Sequence, residues 1–418
     1  MPLVVQKFGG TSVADAERIR NVADHVARTV RKGNQVVVVV SAMGKETDEL
    51  IHLATQVSST RPGREMDMLI TAGERKTTAL LCMALVDIGC PAASFTGSQA
   101  QLLTDSVHTR ARIVEVRADR VRDALAAGQV PVVAGSQGVS ADRDVTFLGR
   151  GGSDTTAVAL AEALGAHACE LYTDVSGVFS ADPRVVPVAR RLRHLTYEEM
   201  LEMCGAGCPK PEMRSVEYAR NHGVRLHVRS SFTWEPGTWV LPADEVDEIE
   251  SQKEGVSMME RAIVSAVVHD TSEAKVTVTK VPDQPGIAAR LFRSLADEHV
   301  NVDMIVQNVS LDGTTDISFT VPTTDLAVSL AACKAHASDI GAADVTADGD
   351  IATVSLIGAG MKSHPGITAT MFETLATEGV NIEMISTSPI RISCVVRANQ
   401  VEQAVQALHS AFGLDAAP

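Results

Sequence analysis

Aromatic side chains are scarce in this chain, with 9 Phe, 3 Tyr and 2 Trp among 418 residues. Its interiors must be filled by the aliphatic residues that dominate an apolar content of 45%. That length and content suffice for two or three domains. Positive charge is also in short supply: 37 Lys and Arg stand against 52 Asp and Glu, a net charge of −15. This balance argues against a general nucleic-acid or membrane-surface binder, because such binding rests on clustered Lys and Arg. No apolar run reaches the roughly 18 residues of a membrane span. The N-terminus shows neither the basic nor the apolar region of a signal peptide, so the expected compartment is the cytoplasm. Seven scattered cysteines do not make a disulfide framework. Cys204 and Cys208 stand one helical turn apart with no second pair at zinc-site spacing, and no structural metal is expected. Cys82, Cys90, Cys169, Cys333 and Cys394 have apolar neighbours and read as small core residues.

Against that background two glycine-rich segments stand out. Phe147-Leu-Gly-Arg-Gly-Gly-Ser-Asp-Thr-Thr-Ala157 gathers an arginine, three glycines, a serine and an aspartate where an Ala-rich helix begins. Ser153 or Asp154 is expected to cap that helix, leaving its free N–H groups to face an anion. Lys7-Phe-Gly-Gly-Thr-Ser12 follows an apolar run and precedes a helical pattern from about Val13, which makes it a second anion-seating element. β-rich runs at 3–8, 35–43, 92–96, 130–135 and 170–175 alternate with helical patterns near 13–31, 66–88, 109–126 and 154–165. Continuous Val and Ile runs alternating with helices predict a layered α/β domain on a mainly parallel sheet. Ligands of such sheets bind beyond the carboxyl ends of the strands. Five polar, glycine-containing turns fall there: Gly9-Gly10, Ser41-Ala-Met-Gly44, Thr96-Gly97-Ser98, Gly135-Ser-Gln-Gly138 and Thr173-Asp-Val-Ser-Gly177. Singly each is an ordinary turn; together they describe a ligand cleft.

Beyond Trp234-Glu-Pro-Gly237, a strong turn, the sequence becomes acidic and weakly periodic, and a linker is expected over 236–262. An internal repeat follows. Asp283-Gln-Pro-Gly-Ile287 is echoed by Ser363-His-Pro-Gly-Ile367, and Val300-Asn-Val-Asp-Met-Ile305 by Val380-Asn-Ile-Glu-Met-Ile385, at one offset of 80 residues. Phe292/Phe372 and Leu295/Leu375 keep the same offset. Each unit reads as a small βαββαβ sandwich, with strands at 274–278 and 351–357.

Lys7-Phe-Gly-Gly-Thr-Ser12, Thr71-Ala-Gly-Glu-Arg75, Gly149-Arg-Gly-Gly-Ser-Asp154 and Tyr172-Thr-Asp-Val-Ser-Gly177 resemble the motifs of the amino-acid-kinase fold. Followed by two ACT-type units, the set is similar to the aspartokinase family, of the actinobacterial lysine/threonine-regulated type. The resemblance implies an amino-acid-kinase domain at 1–235, the linker at 236–262, and ferredoxin-like α+β ACT domains at 263–345 and 346–418. It implies transfer of the ATP γ-phosphoryl group to the β-carboxylate of L-aspartate. Lys7 and Asp154 would serve the transferring group, and Ser41, Thr47, Glu74, Arg150 and Ser153 would hold aspartate. Gly9, Gly10, Thr173, Asp174, Val178, Asp182, Arg184 and Lys210 would meet the nucleotide, with Mg²⁺ bridging ATP oxygens and needing few protein ligands. L-lysine would bind around Asp283 and Ala288, L-threonine around Gln307, Asn308, Thr368 and Ser388, in a homo- or hetero-oligomer paired through the ACT domains. A shorter product starting internally near Met258 or Met259 is a further family expectation.

Two segments depart from the family pattern. In Gly207-Cys-Pro-Lys-Pro211 a proline takes the usual lysine position and Lys210 lies one residue on. The two prolines remove two backbone donors and alter the helix start expected there. Pro389 stands where the family usually has Glu, which points to weakened feedback. A catalytically weak amino-acid sensor and a kinase for a modified aspartate are the alternatives these departures leave open.

Overall fold

The computed structural model describes residues 1–253, 263–309, 313–359, 361 and 364–415. They form two units. Among the described residues no helix is long and apolar enough to cross a membrane, and no cysteine is in a disulfide.

The first unit comprises Met1–Val178, Arg191–Cys204 and Pro209–Ser257. Its main sheet has eight strands in the order His194–Thr196, Thr238–Leu241, Leu226–Ser230, Ala168–Thr173, Leu3–Phe8, Gln35–Val40, Val130–Ala134, Ala92–Phe95. All neighbours are parallel except the pair Leu226–Ser230 and Thr238–Leu241. Val36 to Val40 are each at most 1% exposed, which is why this strand reads as an unbroken valine run. On one face the helix Ala16–Arg31 packs Ile19, Val22 and Val26 against Phe8, Val38 and Tyr172. Asp15 caps that helix by accepting from Arg18 N. A small sheet of Ile113–Val116, Leu102–Thr104, Gln137–Val139 and Val145–Phe147 completes the unit.

Several expectations change here. The pattern at 66–88 is two helices, Gly63–Ile70 and Ala72–Asp87, meeting at Thr71, whose hydroxyl donates to Asp67 O at 2.7 Å. The pattern at 109–126 is the short strand Ile113–Val116 and then the helix Asp119–Ala126. Glu46–Val57, unassigned in the sequence, is a helix. The expected linker is structured in its first half: the turn at 234–237 joins a hairpin whose second strand, Thr238–Leu241, lies inside the main sheet, and the helix Ala243–Lys253 follows. Met258, Met259 and Ser363 lie outside the described residues.

The second unit comprises Phe179–Arg190, Gly205–Cys208 and Met258–Pro418. It holds two four-stranded antiparallel sheets. One runs Ile305–Val309, Thr314–Pro322, Glu273–Pro282, Asp344–Asp348 and carries the helices Ile287–Asp297 and Leu326–His336, a complete βαββαβ repeat. The other runs Ile263–Asp270, Ile351–Ala359, Arg391–Arg397, Met384–Thr387, with the helices Pro365–Thr377 and Val401–Ala411. Among the described residues the second repeat has three strands of its own, and the fourth strand of its sheet is supplied by Ile263–Asp270, from before the first repeat. A sequential division at 345/346 does not describe these sheets. Backbone hydrogen bonding explains the exchange, since without that strand the edge of the buried Ile351–Ala359 would be left unpaired. Met304, Ile351, Met384 and Val395 pack between the two sheets, flanked by Arg397, which pairs with Asp348 at 2.7 Å and Glu383 at 3.0 Å.

Candidate active site

A cavity of about 400 Å³ opens in the first unit beyond the carboxyl ends of its central strands. Four of the five polar turns reach its wall, through Gly9 and Gly10, Ser41 and Gly44, Ser136, and Thr173 and Asp174. Gly10 must be glycine, because a Cβ would stand 3.0 Å from the carbonyl oxygens of both Ala42 and Gly44. The turn Thr96-Gly97-Ser98 is not part of the lining.

The second glycine segment enters the cavity as expected, but its helix is capped differently. Gly152–Leu164 begins after Gly151, which takes φ +74 and makes no side-chain cap bond. Ser153 and Asp154 are inside the first turn, with their side chains buried rather than turned back to cap. Gly151 is required twice over, since a Cβ there would meet Glu212 Cγ at 2.1 Å. Arg214, which the sequence did not single out, fixes the preceding loop by donating to Leu148 O and Ala111 O, each at 3.0 Å.

Asp154 Oδ1 lies 2.5 Å from Lys7 Nζ, and both side chains are almost wholly buried. Burial opposes ionisation of Asp154. The ammonium groups of Lys7 and Lys210, the hydrogen bond from Lys7 and the N–H of Glu212 outweigh it and hold the carboxyl below its ordinary range. Lys210 lines the cavity despite its two flanking prolines. The helix after it, Met213–His222, starts with Glu212 as its cap, accepting from Ser215 N.

Across the cavity Glu74 is 3% exposed, and its Oε2 has no hydrogen-bond partner. Burial, aided by the charge of Glu46, raises its pKa to about 7, against hydrogen bonds from its own and Ala42 backbone and the charge of Arg75. Ser41, Ser136 and Ser153 form a hydroxyl chain, with Ser41 Oγ donating to Ser153 Oγ at 3.0 Å and Ser136 Oγ 2.9 Å from Ser153 Oγ. Ser136, at φ +58, was visible in the sequence only as part of a turn. Arg150 is exposed and donates to Asp48 Oδ1 at 2.7 Å. Asp48 also lines the cavity and was missed, although it follows Thr47 directly.

Val178, Asp182 and Arg184, expected at the nucleotide, do not line this cavity. Val178 is buried, and its N–H donates to Thr238 Oγ1 at 2.9 Å. Asp182 and Arg184 belong to the second unit and pair with each other at 2.6 Å, which holds the Asp182 carboxyl below its usual range. Of the expected effector residues, Asp283, Gln307 and Asn308 are exposed, and Ala288, Thr368 and Ser388 half-buried. Among the described residues no group of three or more His, Cys, Asp or Glu is placed to hold a metal ion.

The sequence matches the amino acid kinase family over residues 2–230 and the ACT domain over 276–336 and 354–412. It is 54% identical over 417 residues to an aspartokinase of Mycolicibacterium smegmatis, across 99% of this chain and 97% of that protein. The chain belongs to the aspartokinase family. An aspartokinase of Pseudomonas aeruginosa is 49% identical over 416 residues, covering 100% of this chain and 98% of its own. Among solved structures, Escherichia coli aspartokinase III in complex with aspartate and ADP shares the fold at a TM-score of 0.80 and 24% identity, covering 98% of this chain and 99% of its own. The buried Lys–Asp pair, the glycine turns and the buried Glu74 thus lie within the amino acid kinase domain of an aspartokinase.

Proposed function

We propose that this chain, an ATP-dependent aspartate kinase, carries out phosphoryl transfer in the cavity of its first unit. The γ-phosphoryl group of ATP passes to the β-carboxylate of L-aspartate, giving 4-phospho-L-aspartate and ADP. The observation that carries this reading is that one cavity is lined by a buried cation held by its own carboxylate, Lys7–Asp154, and by the buried carboxylate of Glu74, whose Oε2 is left without a hydrogen bond.

Both reactants are anions, so the site must first suppress their repulsion, and the protein then acts by positioning and charge stabilisation. Lys7 faces the transferring group, Asp154 keeps it oriented, and Gly9 and Gly10 let backbone N–H groups approach the phosphates. The N-terminus of the helix Gly152–Leu164 adds its partial positive charge. Thr173, Asp174 and Lys210 complete the nucleotide side. Glu74 receives the substrate ammonium, Ser41, Thr47 and Ser153 supply polar contacts, and Arg150 takes a carboxylate as a fork once Asp48 releases it. Mg²⁺ belongs with ATP as part of the nucleotide substrate, an ion that keeps phosphate and water ligands and needs few from the protein.

The two ACT repeats form the regulatory part and the surface for oligomer assembly, with L-lysine at Asp283 and Ala288 and L-threonine at Gln307, Asn308, Thr368 and Ser388 as its effectors. Action in the cytoplasm agrees with seven cysteines outside any disulfide. The test is ADP release dependent on aspartate, with hydroxylamine trapping of the acyl phosphate. Aspartate-dependent hydroxamate formation is expected, and its absence at saturating MgATP overturns the reading.

A further inference from the structure

Glu74 has a second carboxylate beside it. Glu46 opens the helix Glu46–Val57, and its Cδ and Cγ lie 3.5 and 3.6 Å from where a Cβ on Gly73 would stand, next to Glu74 in the chain. Lys76 Nζ donates to Glu46 Oε1 at 2.6 Å. The other oxygen, Oε2, is buried and has no hydrogen-bond partner, as is Oε2 of Glu74. Two carboxylates from two packed helices therefore each keep one buried oxygen without a hydrogen bond, Glu74 on the cavity wall and Glu46 behind it, where Lys76 pairs with it. A tie between the helices Glu46–Val57 and Ala72–Asp87 accounts for the Lys76 contact. It does not by itself account for the buried Oε2 left without a hydrogen bond, a placement that costs free energy.

We propose that Glu46 and Lys76 are positioning residues that set the proton affinity of Glu74, and with it the pH range in which the site captures the ammonium of its amino-acid substrate. The inference rests on the role given to Glu74 above. A like charge beside a carboxylate favours its protonated form, and a cation favours the ionised form. Glu46 therefore holds the proton on the empty site, and Lys76 limits how far. Binding of the substrate ammonium ionises Glu74 and releases that proton. The remaining charges around Glu74 are Arg75 on its own helix, and Lys45 and Asp48 near Glu46 in the chain. Lys7, Arg150, Asp174 and Lys210 are the other charged residues that line the cavity, and Asp154 is paired with Lys7. All are left in place by the substitutions below.

The experiment is the pH dependence of KM for aspartate and of kcat in the full chain, for the parent, Glu46→Gln, Lys76→Met, the double variant and Lys76→Arg, with Glu74→Gln as reference. Below the midpoint set by Glu74, KM rises as pH falls. Glu46→Gln should move that midpoint down and Lys76→Met should move it up, each by about half a pH unit or more, the scale of one charge changed at close range. The double variant should return toward the parent, Lys76→Arg should stay with it, and kcat at saturating aspartate should move little. Midpoints that coincide, or shifts in the same direction, overturn the proposal and leave a mechanical tie, as does a KM change equal at every pH. If Glu74→Gln leaves KM for aspartate unchanged, the assignment of Glu74 itself falls. If it raises KM while the other midpoints coincide, only the present inference falls.

Discussion

Lys7 and Asp154 have both been taken out of water, a costly placement that is stable only because each satisfies the other. Lys7→Ala and Asp154→Asn should each lower kcat at least a hundredfold, about 2.7 kcal/mol of barrier, since a preorganised charge facing the transferring group is lost or misdirected. Steady-state kinetics with circular dichroism to confirm folding checks this, and near-parental turnover in either variant removes the assigned role. Glu74, pushed up to about 7 by burial, gives the substrate step its own pH dependence. In the role proposed for it the ionised form binds the ammonium, so kcat/KM for aspartate should fall as pH drops through about 7, by up to tenfold per unit, with kcat falling less. A flat profile between pH 6 and 8 counts against it. That Lys7, Glu74 and Asp154 come together was legible in the sequence because their motifs fall at the turns and helix starts around one cleft. Asp48 and Ser136 were not, because their importance depends on contacts made across more than a hundred residues for Arg150–Asp48 and on a positive φ at Ser136, neither of which leaves a local signal.

The elements that carry the site were mostly readable, and the misreadings share a cause. The valine run of Gln35–Val40 and the glycine turns report directly on burial and backbone conformation. The cap of Gly152–Leu164 was misassigned because Ser and Asp are strong capping residues locally, whereas here the pull of Lys7 and the seryl hydroxyls turns both side chains into the site. Gly151→Ala is the direct probe of that junction. A side chain at φ +74 with its Cβ 2.1 Å from Glu212 should destabilise the first unit by about 2 kcal/mol or more. Urea unfolding measures this, and parental stability would show that the loop can relax. The hairpin strand Thr238–Leu241 was hidden behind an acidic stretch that reads as linker; what makes it a strand is its pairing with Leu226–Ser230 and His194–Thr196, a tertiary cause.

In the whole molecule the duplicated half was legible as a repeat, yet its closure was not, because the strand that completes the second copy lies outside the repeated stretch. Val267 on that strand is fully buried in the core of the second repeat. Val267→Asp should strip hydrogen-exchange protection from Ile351–Ala359 more than from Glu273–Pro282, although Val267 is far nearer to the latter in sequence; the reverse order would contradict the observed pairing. Pro389 is exposed in the loop between Met384–Thr387 and Arg391–Arg397, where it offers neither a carboxylate nor an N–H. Lysine plus threonine should therefore inhibit weakly, and Pro389→Glu should tighten inhibition roughly five- to hundredfold, the value of one ammonium partner. Full inhibition of the parent at low millimolar effector would show that Pro389 is without consequence. The borrowed strand also fixes an order of events during synthesis. Ile263–Asp270 leaves the ribosome about 80 residues ahead of the strand it pairs with, a wait of roughly 4–16 s at bacterial elongation rates of about 5–20 residues per second. For that interval its apolar side chains have no sheet to join. Earlier chain that it meets in the folded unit includes the segment Phe179–Arg190, whose Ser180 carbonyl accepts from Val267 N at 2.7 Å, so that contact can form before the strand's sheet partner has been made.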